Sequence, residues 1–251
     1  LLSGQHARPN AEQEHDFHLV MAFQPIMDVV ANRTCAYEAL VRGPNGEGAP
    51  EMLARVTPET RYAFDQQCRV AAIRQAVAAG IMSTGALLSI NFLPEAIEDP
   101  FADSERTLRT ARETGFPPER LTFEFSECKR LDDAHLERVA RAYRKMGMTT
   151  IIDDFGSGDW GLTLMSRFLP DAVKLQPDLI RGLCGSWARR LVVEETFHLV
   201  SRLGVKVIAE GVETRAEYDK LRGIGVRYMQ GYYFARPQIG RLVRPELAHA
   251  A

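Results

Sequence analysis

The sequence predicts an α/β chain closing as a TIM-like (β/α)8 barrel, with one antiparallel strand near its N-terminus. Three observations carry that expectation. Short apolar or β-branched runs alternate with longer helix-like stretches, the rhythm of βα units around a parallel sheet. About eight such runs can be counted with the opening hairpin included, which suits a closed barrel better than an open sheet. Residues able to do chemistry then recur at the C-terminal ends of the runs: Asn91, Glu124, Asp153, Asp154, Lys174, Glu210 and Gln230. In such a barrel those ends share one mouth. A purely structural barrel has no need to gather so many carboxylates there.

Residues 1–16 are polar and read as a disordered tail or the end of a linker from an upstream domain. The barrel is expected over 17–245, with 246–251 as a C-terminal tail. Residues 19–29 (LVMAFQPIMDV) and 34–42 (TCAYEALVR) flank a turn at Asn32-Arg33 and form an antiparallel hairpin. Glu38 sits inside the second apolar run, either as a solvent-facing alternation or as a buried ligand. After a Gly/Pro-rich loop, helices are expected over 51–55 and 59–79, with Gly80 as a stop. Strands at 87–92 and 121–127 alternate with helices at 104–114 and 133–145. The run 149–152 is a strand that ends in Asp153 and Asp154. A glycine-bearing loop (155–161), a helical segment and a short apolar run ending in Lys174 follow. A helix over 187–203, a strand delivering Glu210, a helix over 214–222 and the run VRYMQGYYF with Gln230 complete the series.

Composition narrows the function classes. The chain has 251 residues, 45 % hydrophobic and 25 % charged, with a net charge of −2. That is ordinary for a soluble globular protein and excludes a surface built to coat a nucleic acid polymer. No apolar run approaches the roughly 18 residues a membrane span needs, and there is no signal-peptide pattern. Cys35, Cys68, Cys128 and Cys184 are scattered without CxxC spacing, which argues against a disulfide framework or zinc site. A reducing, cytoplasmic location is the default expectation.

Two adjacent carboxylates at a strand end repel each other, and a cation must offset that unless the site is well solvated. The alternative is an acidic turn followed by a surface lysine. Convergent oxygen ligands favour Mg²⁺ or Mn²⁺ over zinc, since no histidine or cysteine falls at these positions. One aspartate shared by two cations roughly 3.5–4 Å apart is a common design for phosphodiester hydrolysis.

The motifs together resemble the EAL-domain cyclic di-GMP phosphodiesterases. They are FQPI at 23–26, YEALVR at 37–42, INF at 90–92, FEFSE at 123–127, DDFGSG at 153–158, VKLQ at 173–176, AEGVE at 209–213 and QGYYF at 230–234. They stand in that family's order and span residues 18–237. YEALVRGPNGEGA and RYAFDQQCR further resemble the subgroup attached to blue-light sensor domains.

The resemblance implies that Glu38, Asn91, Glu124 and Asp153 hold one metal. Asp153 would bridge to a second, held with Asp154, and Glu210 would complete the cluster. Lys174 would orient the attacking water, with Glu38, Asp153 and Asp154 sharing the catalytic work. Glu127 would anchor the loop after the acidic pair. Gln24, Leu40, Arg42 and Gln230 would contact substrate, although a packing role at the barrel mouth is the alternative for Gln24 and Arg42. The implied cofactors are two Mg²⁺ or Mn²⁺ ions, with Ca²⁺ inhibiting, and the reaction is hydrolysis of cyclic di-GMP to linear pGpG. A homodimer is implied through the surface near Trp160, Leu162, Leu164 and Phe168, along with an upstream sensor domain or protein partner. The other class is a catalytically weak or inactive module acting as a cyclic di-GMP receptor or protein-binding regulator. The departures from the family pattern are Asp159 and Trp160 in the loop, Ser126, and Gln176 where aspartate is usual. An aspartate at 176 could pair with Lys174, so glutamine is expected to leave the lysine less firmly held and turnover slower.

Overall fold

The structure, a computed structural model, describes residues 16–126, 133–157 and 160–245. Strands β1 (Val20–Asp28) and β2 (Arg33–Arg42) pair antiparallel, from Val20↔Arg42 to Asp28↔Arg33. Parallel pairing then runs through β3 (Leu87–Asn91), β4 (Leu121–Ser126), β5 (Thr149–Phe155), β6 (Ala172–Leu175), β7 (Lys206–Ala209) and β8 (Tyr228–Met229). β8 returns antiparallel to β1 through Met27↔Met229 and closes a ring of eight. β1 therefore runs against both its neighbours, as the hairpin predicts. A short strand that the sequence pattern does not signal, β9 (Gln238–Ile239), adds to β1 at Ala22 and Phe23.

The helices are α1 (Ala49–Leu53), α2 (Arg61–Ala78), α3 (Pro100–Thr114), α4 (Asp133–Lys145), α5 (Trp160–Arg167), α6 (Pro177–Ile180), α7 (Trp187–Arg202) and α8 (Arg215–Ile224). α3 starts earlier than its apolar pattern predicts. The Asp99 side chain accepts from the amides of Phe101 and Ala102, and Pro100 fits the first helical turn. α8 opens with a capping box between Thr214 and Glu217. β8 is much shorter than the VRYMQGYYF run, because the chain leaves the sheet at Gln230. There the Gln230 carbonyl accepts from the Val212 amide at 3.0 Å. A Cβ at Gly231 would lie 2.0 Å from the Val212 oxygen, so glycine is what permits this approach.

The main apolar core lies between the barrel wall and the helices. A smaller cluster of Ile26, Ala36, Ile151, Ala172 and Ile208 forms separately. Inside the main core, Arg69 of α2 is fully buried. It pairs with Asp65 at 2.7 Å, donates to the Tyr143 hydroxyl at 2.9 Å, and lies 5.4 and 5.2 Å from the Phe92 and Phe123 ring centres. Asp65 also accepts from the Leu93 amide at 2.8 Å, two residues beyond Asn91. This one network ties α2 and α4 to the mouth end of β3. Among the described residues, no helix is long and apolar enough to cross a membrane.

Removing one partner of a buried pair leaves the other charge uncompensated, at a cost of about 3–5 kcal/mol. Asp65→Ala should therefore lower the urea-unfolding free energy by about that amount, whereas the joint replacement Asp65→Leu/Arg69→Met should recover most of the loss. Equal destabilisation by the single and double variants would contradict the pairing.

Candidate active site

The mouth is shaped by how β5 ends. Thr150, Ile151 and Ile152 are buried, and β-branched side chains suit such a strand. Neighbouring residues on a regular strand point to opposite faces, which would separate Asp153 from Asp154. Two features break that alternation. Asp154 adopts φ 54°, a left-handed conformation that aspartate tolerates better than most residues. The β5–β6 register also shifts between Ile152 and Phe155. The Asp154 amide then donates to Asp153 Oδ1 at 2.9 Å. Oxygens of Asp153, Asp154 and Glu210 all come within 4.8 Å of one another.

Behind this half-buried trio lies an inner, buried layer. Lys174 has no exposed surface and donates to Glu38 Oε2 at 2.8 Å and Glu124 Oε2 at 2.9 Å. Asp153 Oδ1 and Glu210 Oε2 stand 3.7 and 3.8 Å from the same ammonium. Glu38 also accepts from Asn91 Nδ2 at 2.9 Å and Gln230 Nε2 at 2.7 Å. The Ser89 hydroxyl donates to Glu124 Oε1. A cavity of about 380 Å³ opens over the site, lined by Glu38, Leu40, Asn91, Asp153, Asp154 and Glu210 together with apolar residues of α2.

The electrostatics follow from burial and crowding. Burial opposes ionisation of Glu38, but the Lys174 charge and hydrogen bonds from Lys174, Gln230 and Asn91 outweigh it and hold the pKa below the usual value. Burial, reinforced by repulsion from Glu38 and Asp153, pushes Glu124 up to about 8 against the pull of Lys174. Burial likewise pushes Glu210 up to about 7, with Lys174 opposing and the neighbouring carboxylates reinforcing. Burial and Asp153 raise Asp154. Lys174 is raised well above the ordinary lysine value: burial disfavours its charge, but the surrounding carboxylates prevail. The site thus carries more carboxylates than one ammonium can neutralise. Oxygen donors crowded in this way fit a hard divalent cation. Asp153, Asp154 and Glu210 would hold it at the mouth, and Asn91, Glu38 and Glu124 are within the same constellation.

Several sequence expectations change in detail. Gln230 is buried with its amide on Glu38, and it also donates to Gln24 Oε1 at 3.2 Å. Gln24 in turn donates to the Ala235 carbonyl at 3.1 Å. These two glutamines brace Glu38 from behind and do not face the open cavity. Arg42 folds onto its own chain, donating to the Val41 carbonyl at 2.7 Å, and does not line the cavity. Gln176 is not Lys174's partner; its amide donates to the Gly156 carbonyl at 2.7 Å and fastens the loop after the acidic pair. Lys174 needs no help from position 176, because Glu38 and Glu124 already grip it. Of the apolar residues expected at a dimer surface, Leu164 and Phe168 are buried in the core, while Leu162 is 60 % exposed. Glu127 and Asp159 lie outside the described residues, as does the Trp160 side chain. Sequence reasoning missed Ser89, whose position inside an apolar strand gave no signal beyond a polar residue facing inward.

Residues 8–237 match the EAL domain. The chain belongs to the EAL domain family. Among solved structures, a standalone versatile EAL protein from Vibrio cholerae O395 in its c-di-GMP-bound form is 43 % identical, with a TM-score of 0.87, over 91 % of this chain and 95 % of that one. Klebsiella pneumoniae BlrP1, in a manganese/cyclic di-GMP complex, is 30 % identical with a TM-score of 0.84, over 92 % of this chain and 59 % of that one. Among curated relatives, the cyclic di-GMP phosphodiesterase PA2567 of Pseudomonas aeruginosa is 31 % identical over 90 % of this chain and 39 % of its own length. The blue light- and temperature-regulated antirepressor BluF of Escherichia coli is 28 % identical over 87 % of this chain and 54 % of its own length. This EAL chain spans about half the length or less of these curated relatives.

The raised carboxylates set a pH dependence for the metal-free EAL chain. Glu124 and Glu210 ionise near 4.5 when unfolded but near 8 and 7 when folded. The folded state therefore binds more protons between those values, so their contribution is full below about 4.5 and is lost as pH rises through 7 and 8. Glu38 has the opposite sign, but its contribution is already complete at neutral pH. In EDTA, the melting temperature should fall by roughly a few degrees from pH 6 to 8.5. Glu124→Gln should flatten that fall, as followed by differential scanning fluorimetry. A melting temperature that climbs over this range would overturn the reading.

Proposed function

We propose that this EAL chain is a divalent-cation-dependent phosphodiesterase that hydrolyses cyclic di-GMP to linear pGpG. The observation that carries the reading is the convergence of Asp153, Asp154 and Glu210 next to a buried lysine gripped by Glu38 and Glu124. Its support from relatives is the cyclic di-GMP held by the 43 % identical Vibrio protein and the phosphodiesterase named among the curated relatives.

Asp153, Asp154 and Glu210, with Glu38, Asn91 and Glu124 adjoining, would hold two Mg²⁺ or Mn²⁺ ions. Such ions, when bound, lower the pKa of water and offset charge on phosphoryl oxygens. The chain supplies the remainder. Lys174 stays charged throughout, and two of its three N–H donors are committed to Glu38 and Glu124. The third is left to orient the attacking water in line with the scissile bond. Asn91 and Gln230 keep the Glu38 carboxylate from rotating. Leu40 lines the cavity wall, where it would pack against substrate. Arg42 would have to swing from its own carbonyl to reach a phosphate, where its planar fork can donate two bonds. Ca²⁺ would occupy the same oxygens but hold water loosely, and so inhibit.

Turnover of cyclic di-GMP with Mg²⁺ or Mn²⁺, followed by chromatography of pGpG, tests this directly. Asp153→Asn and Lys174→Ala should each reduce kcat by at least about a hundredfold, equivalent to about 2.7 kcal/mol of barrier. Wild-type rates in Asp153→Asn would remove the cation-dependent mechanism. The antirepressor named among the relatives supports a second reading, in which the module binds cyclic di-GMP or a protein and turns over slowly or not at all. Tight binding of cyclic di-GMP without pGpG formation in either metal would decide for that reading.

We also propose a homodimer. Exposed Leu162 on α5 and exposed Trp187, Leu191 and Val192 on α7 offer an apolar surface on the two helices flanking β6. Sedimentation velocity should show a dimer that Leu162→Glu/Leu191→Glu weakens. A monomer at every concentration would dismiss it.

A further inference from the structure

At the other end of the barrel, around the N-terminal ends of the parallel strands, lies a second cavity of about 330 Å³. Its floor is the small cluster of Ile26, Ala36, Ile151, Ala172 and Ile208. Barrel interiors are normally filled by bulky side chains. Here the alanines at 36 and 172 leave the axis open at this end.

The rim is charged on one side. Lys206 of β7, Tyr228 of β8, Asp28 of β1 and Arg33 of β2 lie on four consecutive strands of the ring, with Arg227 just before β8. Arg227 is committed to Asp28 through bonds of 2.7–3.0 Å, and Asp28 also accepts from the amides of Val30 and Ala31. Asp171, the other acid of the rim, accepts from the Thr150 amide and hydroxyl and has Arg144 at 4.0 Å. Both acids are therefore engaged. Arg33 and Lys206 have no side-chain hydrogen bond or ion pair among the described residues. Burial pushes the thiol of Cys35, at the cavity edge, up to about 11, with Asp28 adding to it, and Arg33 and Lys206 both pull it back. The two cations thus act on one region of the cavity.

We propose that this basal cavity is a second ligand site, taking a small organic anion with an apolar or aromatic body and a single carboxylate, phosphate or sulfonate head. The body would rest on the isoleucines and the head would lie towards Arg33 and Lys206. Pockets of this kind combine an apolar lining with a few placed polar groups. The site is separate from the mouth but not isolated from it. Ser89 lines the basal cavity, and its hydroxyl is the one bonded to Glu124.

Isoleucine methyl NMR of the intact chain tests the proposal with naphthalene-1-sulfonate as the probe. Ile26, Ile151 and Ile208 report on the basal cavity, whereas Ile90 lines the mouth and serves as the control. The probe should shift the three basal methyls saturably and leave Ile90 unmoved. The exposed double variant Arg33→Gln/Lys206→Gln should weaken binding by at least about tenfold, as should replacing the probe with neutral 1-naphthol. Three results would overturn the proposal: basal methyls unmoved at millimolar probe, shifts that appear first at Ile90, or equal affinity in the double variant.

Discussion

A lysine with no exposed surface, gripped by two buried glutamates, is the interaction on which the mouth of this barrel depends. Taking an ammonium and two carboxylates out of water costs several kcal/mol per ion, and only close pairing with further hydrogen bonds offsets it. Lys174 meets that condition through Glu38 at 2.8 Å and Glu124 at 2.9 Å. Each glutamate is then held separately: Glu38 by Asn91 and Gln230, Glu124 by Ser89. These partners come from β2, β3, β4, β6 and the end of β8, so the charge cluster and the closure of the ring support each other. One cation cannot neutralise the whole group, and burial, reinforced by repulsion among the carboxylates, raises the pKa values of Glu124 and Glu210. The same imbalance makes the mouth receptive to a divalent cation.

The inner layer is held by buried ion pairs and hydrogen bonds, but the outer one is built on strain. Asp154 holds a left-handed backbone one residue before the end of β5, a conformation that costs of order 1–3 kcal/mol and persists only when its surroundings enforce it. The enforcing contacts are visible. The Asp154 amide bonds to Asp153, the Ser157 amide bonds to the Asp154 carbonyl, and Gln176 ties down Gly156. What the strain achieves is a pair of adjacent carboxylates on one side of the strand, which regular pleating forbids. Gln176 therefore belongs to the loop and not to the lysine.

The two ends of the barrel differ in how their charges are treated. At the mouth, charged groups are drawn inward and bonded to one another. At the base, the acids are engaged by neighbours while Arg33 and Lys206, among the described residues, have no side-chain partner and stand over an apolar floor. Ser89 stands between the two, on a strand short enough that one residue borders the basal cavity and bonds to a mouth carboxylate.

The sequence by itself determined the class of fold and the chemical inventory of the mouth. Strand–helix alternation, the opening hairpin and the acids at run ends are local signals, and local signals survive without knowledge of tertiary packing. They were enough to place Glu38, Asn91, Glu124, Asp153, Asp154, Lys174 and Glu210 at one end of a closed barrel. Which of these grips which was decided only in three dimensions. Lys174 chooses Glu38, 136 positions away in the chain, over nearby Gln176 because the pleat sends it inward while Gln176 has already left the strand. Gln24 and Gln230 look alike in sequence to substrate contacts at a rim. Their burial depends on β1 and β8 meeting at ring closure, a contact between opposite ends of the chain that no window of sequence contains. The basal cavity was illegible for a related reason: an empty volume arises from which small residues from different strands fall at the same level, and that level is set by the register of the whole barrel.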